Sequence, residues 1–78
     1  MKLKLKATRD LTLATAKAIA ETAAKRKAES RILFRDKGAN AKSLMGIVAL
    51  SYKKGDELLL YAEGAEAERA IKEIKEYL

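Results

Sequence analysis

The chain opens on Lys2-Leu3-Lys4-Leu5-Lys6-Ala7, where charged and apolar residues alternate without a break. A period of two sends successive side chains to opposite faces of a strand, so residues 2–7 are predicted as a half-buried strand with Leu3, Leu5 and Ala7 inward. Thr8 to Leu11 reads as a polar connection. From Thr15 to about Lys27 the period changes: Ala16, Ile19, Ala20 and Ala23 recur at helical spacing, and either Thr12 or Thr15 can cap the helix by accepting from a free first-turn amide. The apolar stripe is made of small residues, which implies close approach to a sheet. Lys25, Arg26 and Lys27 fall in the expected last turn, favourable at the negative end of the helix dipole.

Alternation returns at Ser30 to Arg35, a second strand with Ile32 and Phe34 on one face. Asp36-Lys37-Gly38 is predicted to turn the chain, with Gly38 taking a positive φ, into a short third strand at about residues 38–41. Ser43 then caps a short helix running to about Leu50. Lys53-Lys54-Gly55-Asp56 separates it from a fourth strand, Glu57 to Ala62, with Leu58, Leu60 and Ala62 inward. After Gly64, a last helix from Ala65 to Leu78 carries Ala67, Ala70, Ile71, Ile74 and Leu78 on one stripe, with Glu66 and Glu68 in its first turn. The order β-α-β-β-α-β-α predicts an α+β fold: one antiparallel sheet with three helices on a single face. No linker or repeat divides residues 1–78, which read as one domain. Sheet order is left open by pattern alone, since a ferredoxin-like arrangement shares most of this element order.

Composition then narrows the chemistry. There is no cysteine and no histidine, which removes disulfides, thiolate metal sites and the usual neutral-pH base. No metal and no cofactor is expected. No apolar run reaches the ~20 residues of a membrane span and no secretory leader opens the chain, so a cytoplasmic location is expected. The net charge of +6 is dispersed and the aromatic residues follow no base-stacking pattern, so the basic surface is read as solubilising rather than nucleic-acid binding. Proline, glutamine and tryptophan are also missing. At an ordinary usage of about 5%, a chain this long would hold roughly four prolines. With strong helix formers filling the helices, that alphabet points to an engineered or simplified sequence and to high thermal stability.

Residues 40–64 carry a specific resemblance. Lys42-Ser43-Leu44-Met45-Gly46-Ile47 beginning a short helix, Lys54-Gly55 before a strand, and Ala62-Glu63-Gly64 before the last helix resemble the HPr family, the phosphocarriers of the bacterial phosphotransferase system. The family pattern can be laid on residues 2–78 without a gap. The resemblance implies the HPr-like open-faced sandwich. It also implies a phosphoacceptor motif, Gly-x-His-x-Arg-Pro, opening the first helix. Here that stretch is Asp10-Leu11-Thr12-Leu13-Ala14-Thr15. Asp10 stands in place of the glycine, Thr12 of the histidine, Ala14 of the arginine and Thr15 of the proline. A threonine hydroxyl with no base to activate it is a poor nucleophile near neutral pH, so phosphocarrier activity is expected to be absent and no catalytic residue is assigned.

Two further features match the family. Ser43 aligns with the serine that a dedicated kinase phosphorylates in many relatives. A phosphate there would add about −1.5 to −2 charges beside Lys42. Capping alone is the plainer role for a serine in that place. Leu44, Met45 and Val48 match the apolar patch through which the family docks protein partners, with burial in the core as the alternative. On the sheet face away from the helices, alternation places Leu33, Leu59 and Tyr61 among Lys4, Lys6, Arg31 and Arg35. Long basic stems can cover such a cluster, giving a monomer, while homodimerisation through it is the sharper alternative. Acid pairs such as Glu66 and Glu73 are expected on a solvated helix, without the surroundings of an enzyme site. The sequence therefore reads first as a stable scaffold of HPr type with no activity of its own. The alternative is a regulatory relative, phosphorylated at Ser43 and bound by a protein partner at the second helix.

Overall fold

The structure, a computed structural model, describes residues 1–78. Its elements are β1 (Lys2–Lys6), α1 (Leu13–Ala24), β2 (Glu29–Phe34), β3 (Lys37–Asn40), α2 (Leu44–Leu50), β4 (Glu57–Glu63) and α3 (Ala67–Lys75). The four strands form one antiparallel sheet in the order β1-β4-β2-β3. That order resolves the choice the pattern left open, with β4 inside the sheet and β1 at an edge.

The register explains the two faces. Leu3 pairs with Leu60, Leu60 with Ile32 and Ile32 with Ala39, which makes a continuous apolar row on the inner face. Against it lie Ala16, Ile19 and Ala23 of α1, Ile47 and Leu50 of α2, and Ala70, Ile71 and Ile74 of α3, all buried. Each fully buried Leu or Ile contributes about 1.5–3 kcal/mol over an exposed one. Small alanines on α1 let that helix settle close to α2 and α3, whereas its stripe implied close approach to the sheet. No helix is long and apolar enough to cross a membrane.

Several boundaries differ from expectation by one to three residues, three of them for identifiable reasons. The β2–β3 turn falls one residue early: Phe34 pairs with Lys37 and Leu33 with Gly38, leaving Arg35 and Asp36 as the turn. Arg35, not Gly38, takes the positive φ of 57°. Gly38 serves another purpose, because a Cβ there would lie 2.9 Å from Leu33 Cδ2, which leans over it. The first helix ends at Ala24, with Lys25 at its C-cap, so Lys25, Arg26 and Lys27 lie beyond the last turn. Arg26 instead reaches α3, donating from Nε to Glu73 Oε1 at 2.7 Å, with Glu66 at 3.9 Å on its other side. That hydrogen bond is the main cause that holds the Glu73 carboxyl below its usual range. Glu66 sits at the N-cap of α3, but its carboxylate accepts from Lys27 N–H at 2.7 Å instead of capping its own helix. Glu66 and Glu73 thus converge on one arginine rather than lying on a free helix face. At the other end, three-residue turns at Tyr77 and Leu78 replace the last helical turn and bring Leu78 into the core.

Gly64 marks the tightest point of this corner. Its φ is 127°, and an added Cβ would stand 3.0 Å from both Ala28 Cα and Lys27 O. Gly55 also has a positive φ, 93°, but has nothing within 4 Å. We expect Gly64→Ala to cost about 2–3 kcal/mol, from backbone strain plus the clash. Gly55→Ala should cost about 1 kcal/mol from conformation alone. Urea titration of the two variants checks the ranking, and equal losses would refute the close-approach argument.

Candidate functional site at the start of α1

The connection between β1 and α1 is fastened to the segment that follows α2. Leu11 N–H donates to Tyr52 O at 3.1 Å, Gly55 N–H to Ala7 O at 2.8 Å, and Ala7 N–H to Asp56 O at 2.8 Å. The Asp10 carboxylate accepts from Lys54 N–H at 2.7 Å. These bonds set the first turn of α1 beside the end of α2. A cleft of about 270 Å³ lies between them, lined by Leu11, Thr12, Leu13, Val48, Ser51, Tyr52 and Lys53.

Thr12 is the N-cap of α1, with an extended backbone (φ −121°, ψ 165°). Its Oγ1 accepts from Thr15 N–H at 3.1 Å and donates to Thr15 Oγ1 at 3.1 Å. Of the two threonines able to cap, Thr12 does so. Its hydroxyl is engaged by its own helix, and Ala14 two residues on offers no polar group. Ser51 takes the left-handed conformation (φ 53°) at the C-cap of α2, and its hydroxyl donates to Val48 O at 3.3 Å. No carboxylate lines the cleft, and no group of three or more His, Cys, Asp or Glu side chains could hold a metal ion. The arrangement supplies hydroxyls without a base.

Ser43 caps α2, accepting from Gly46 N–H at 3.1 Å, and is half-buried. Lys42 beside it is exposed, its own N–H bound to Asn40 Oδ1 at 2.9 Å. The three apolar residues matched to the family's docking patch divide. Leu44 lies half-buried against the core in line with Ile47, whereas Met45 is 79% exposed and Val48 38%. Adjacent helical residues differ by about 100° in direction, so Leu44 and Met45 cannot share an outlook. Leu13 joins the exposed pair instead. It opens α1, is 60% exposed and flanks the cleft opposite Val48. Its signal in the sequence was an apolar residue standing off the buried stripe of Ala16, Ile19 and Ala23.

On the far side of the molecule, Lys4, Leu59, Leu33 and Gly38 form one cross-strand row, and Lys2, Tyr61, Arg31 and Asn40 the next. Leu33, Leu59 and Tyr61 are half-buried there. The Tyr61 hydroxyl donates to Glu63 Oε2 at 2.7 Å, and Lys4 pairs with Glu57 at 3.4 Å.

Against known proteins, the family model described as the PTS HPr component phosphorylation site matches residues 1–78. The phosphocarrier protein HPr of Mycoplasma capricolum is 34% identical over 61 residues, covering 78% of this chain and 68% of that protein. The chain belongs to the HPr family. Among solved HPr-type structures, the phosphocarrier HPr of Bacillus anthracis matches with a TM-score of 0.92 at 26% identity, covering all of this chain and 95% of that one. The Bacillus subtilis catabolite repression protein Crh, solved as a domain-swapped dimer, matches with a TM-score of 0.79 at 25% identity over 99% of this chain and 88% of that one. The family fold is thus kept over its full length here, edge strand included.

Tyr52 anchors the floor of this HPr-family cleft at a cost. The residue is 1% exposed, and its hydroxyl has no hydrogen-bond partner. Burial pushes the phenol up from its ordinary value, opposed by the charge of Arg9. A raised phenol favours the neutral form in the folded state. That contribution is complete below the unfolded value of about 10 and is lost as pH rises through the folded one. Tyr52→Phe removes the unpaired hydroxyl and the titration together. We expect equal or greater stability at neutral pH and a shallower loss above pH of about 10 in guanidinium melts. A clear neutral-pH loss would show that the hydroxyl has a partner after all.

Proposed function

We propose that this HPr-family domain does not carry phosphate and instead acts by docking a protein partner across the start of α1 and the outer side of α2. The observation that supports this is a contrast at one place in the fold. Where the family's acceptor would stand, Thr12 is closed into its own cap with no base beside it. Next to it, Leu13, Met45 and Val48 remain exposed. An apolar strip left open in a chain so rich in charge is a contact surface by default. Exposed Lys17, Lys42 and Lys53 stand around it, and neither α1 nor α2 carries an acid in its first turn. The charge therefore suits a partner that presents carboxylates around an apolar centre.

Ser43 gives this surface a means of control. A phosphate on its hydroxyl would displace the bond from Gly46 N–H and place about −1.5 to −2 charges two residues from Met45. The basic rim would then be partly neutralised. Crh, a catabolite repression protein by its description, is a structural relative consistent with a regulatory rather than a carrier role.

A second reading, a stable scaffold with no partner, is favoured by the restricted residue alphabet. A surface chosen for inertness would not expose a methionine to 79%, and this weighs on the docking side. The two readings part in one assay. Incubation with the family's serine kinase and ATP should add one phosphate, seen by intact mass and mapped to Ser43. An unchanged mass in a folded sample would favour the scaffold, as would a melting midpoint well above the mesophile band of about 45–65 °C. The phosphotransferase system's first enzyme with phosphoenolpyruvate should leave the chain unlabelled. Acid-labile phosphate appearing on residues 10–15 would overturn the proposal.

A further inference from the structure

We infer that Met45 is a site of reversible oxidation whose product weakens docking on the α2 surface. This rests on the docking reading above. The chain has no thiol and no imidazole, so its only oxidisable sulfurs are the thioethers of Met1 and Met45. Met45 is the more open, at 79% against 56%. Its side chain belongs neither to the buried cluster nor to the partly buried residues packed on it, while its neighbours Leu44 and Ile47 hold α2 to the core. An oxidant can thus reach the sulfur without unfolding, and the oxidised residue has no core to disturb.

The position makes the modification consequential. Met45 and Val48 are three apart on α2 and share its outer side. Leu13 continues the strip across the cleft from Val48. With a hydroperoxide as oxidant, a sulfur lone pair attacks the terminal peroxide oxygen. The S–O bond forms as the O–O bond breaks, and the proton passes to the departing oxygen to give water or an alcohol. Sulfur loses two electrons and the peroxide gains them. A dithiol-dependent sulfoxide reductase reverses the step, yielding thioether, water and a disulfide in the reductase. In between, an apolar, pliable contact has become a strongly dipolar one that must be stripped of water before a partner can close over it.

Met1 supplies an internal comparison, since it lies on the β1 edge, where its carbonyl accepts from Ala62 N–H, away from α1 and α2. The experiment treats the whole chain with hydrogen peroxide and maps sulfoxide by peptide mass. It then follows phosphorylation of Ser43 by the family's serine kinase, with circular dichroism and the melting midpoint as a check on folding. Sulfoxide should form readily at Met45 with the fold intact. The kinase rate should fall about tenfold or more, as expected for loss of a central contact, and recover after sulfoxide reductase. In Met45→Leu the ratio of treated to untreated rates should not change, whatever the starting rate. An unaltered rate with Met45 fully oxidised would overturn the inference, as would a loss of folding that accounts for the drop. If the untreated chain is not phosphorylated at all, the docking reading fails, and control by Met45 fails with it. A peptide map showing resistance at Met45 would defeat the oxidation step alone.

Discussion

Burial alternates strictly along residues 57–63, although Leu58 to Ala62 is an unbroken apolar run. Leu58, Leu60 and Ala62 are all buried, while Leu59 and Tyr61 face the open side beside lysine and arginine. A slip of one residue would reverse all of them at once. Since β4 pairs with β1 on one side and β2 on the other, the three strands share one register, which the lysine–leucine alternation of β1 helps to hold. The helices then have one apolar surface to cover. The rest of the architecture follows from covering it with stripes of small and branched residues.

The functional end of the domain depends on the same strand indirectly. The loop entering β4 carries Gly55 and Asp56, whose backbones bond to Ala7, while Lys54 is bound by Asp10. The start of α1 is therefore positioned by the start of β4 rather than by α1 itself. The family geometry here therefore does not depend on which side chain stands at position 12. The frame is built from backbone bonds and one carboxylate, and Thr12 needs only to cap.

The strands and helices were legible in the sequence because periods of two and of 3.6 differ plainly over segments as short as these. The failures have particular causes. Gly38 looked like the turn residue because glycine is the usual carrier of positive φ. Here it lies beneath Leu33 Cδ2, and Arg35 takes the positive φ instead. The basic run after Ala24 continues a helical composition but carries no apolar period, so nothing local announced that α1 stops. Where Arg26 goes instead is a contact between distant segments, which no window of sequence contains. At the site, the capping role of Ser43 was readable from local chemistry, while Thr12 was one of two threonines able to cap and the structure chooses it. The exposed strip was not readable, because Leu13 and Val48 meet only once two helices are assembled.

The position of β1 has a bearing on how the chain folds. The strand β1 is an edge strand whose sole partner, β4, lies far along the chain. Until the two pair, Leu3 and Leu5 have nothing to cover them, and the sheet cannot close. Lysines at positions 2, 4 and 6 keep that waiting ribbon charged on alternate residues, a poor template for its counterparts on neighbouring chains. The lysines of β1 thus keep charge on a ribbon that stays unpaired until β4 is in place.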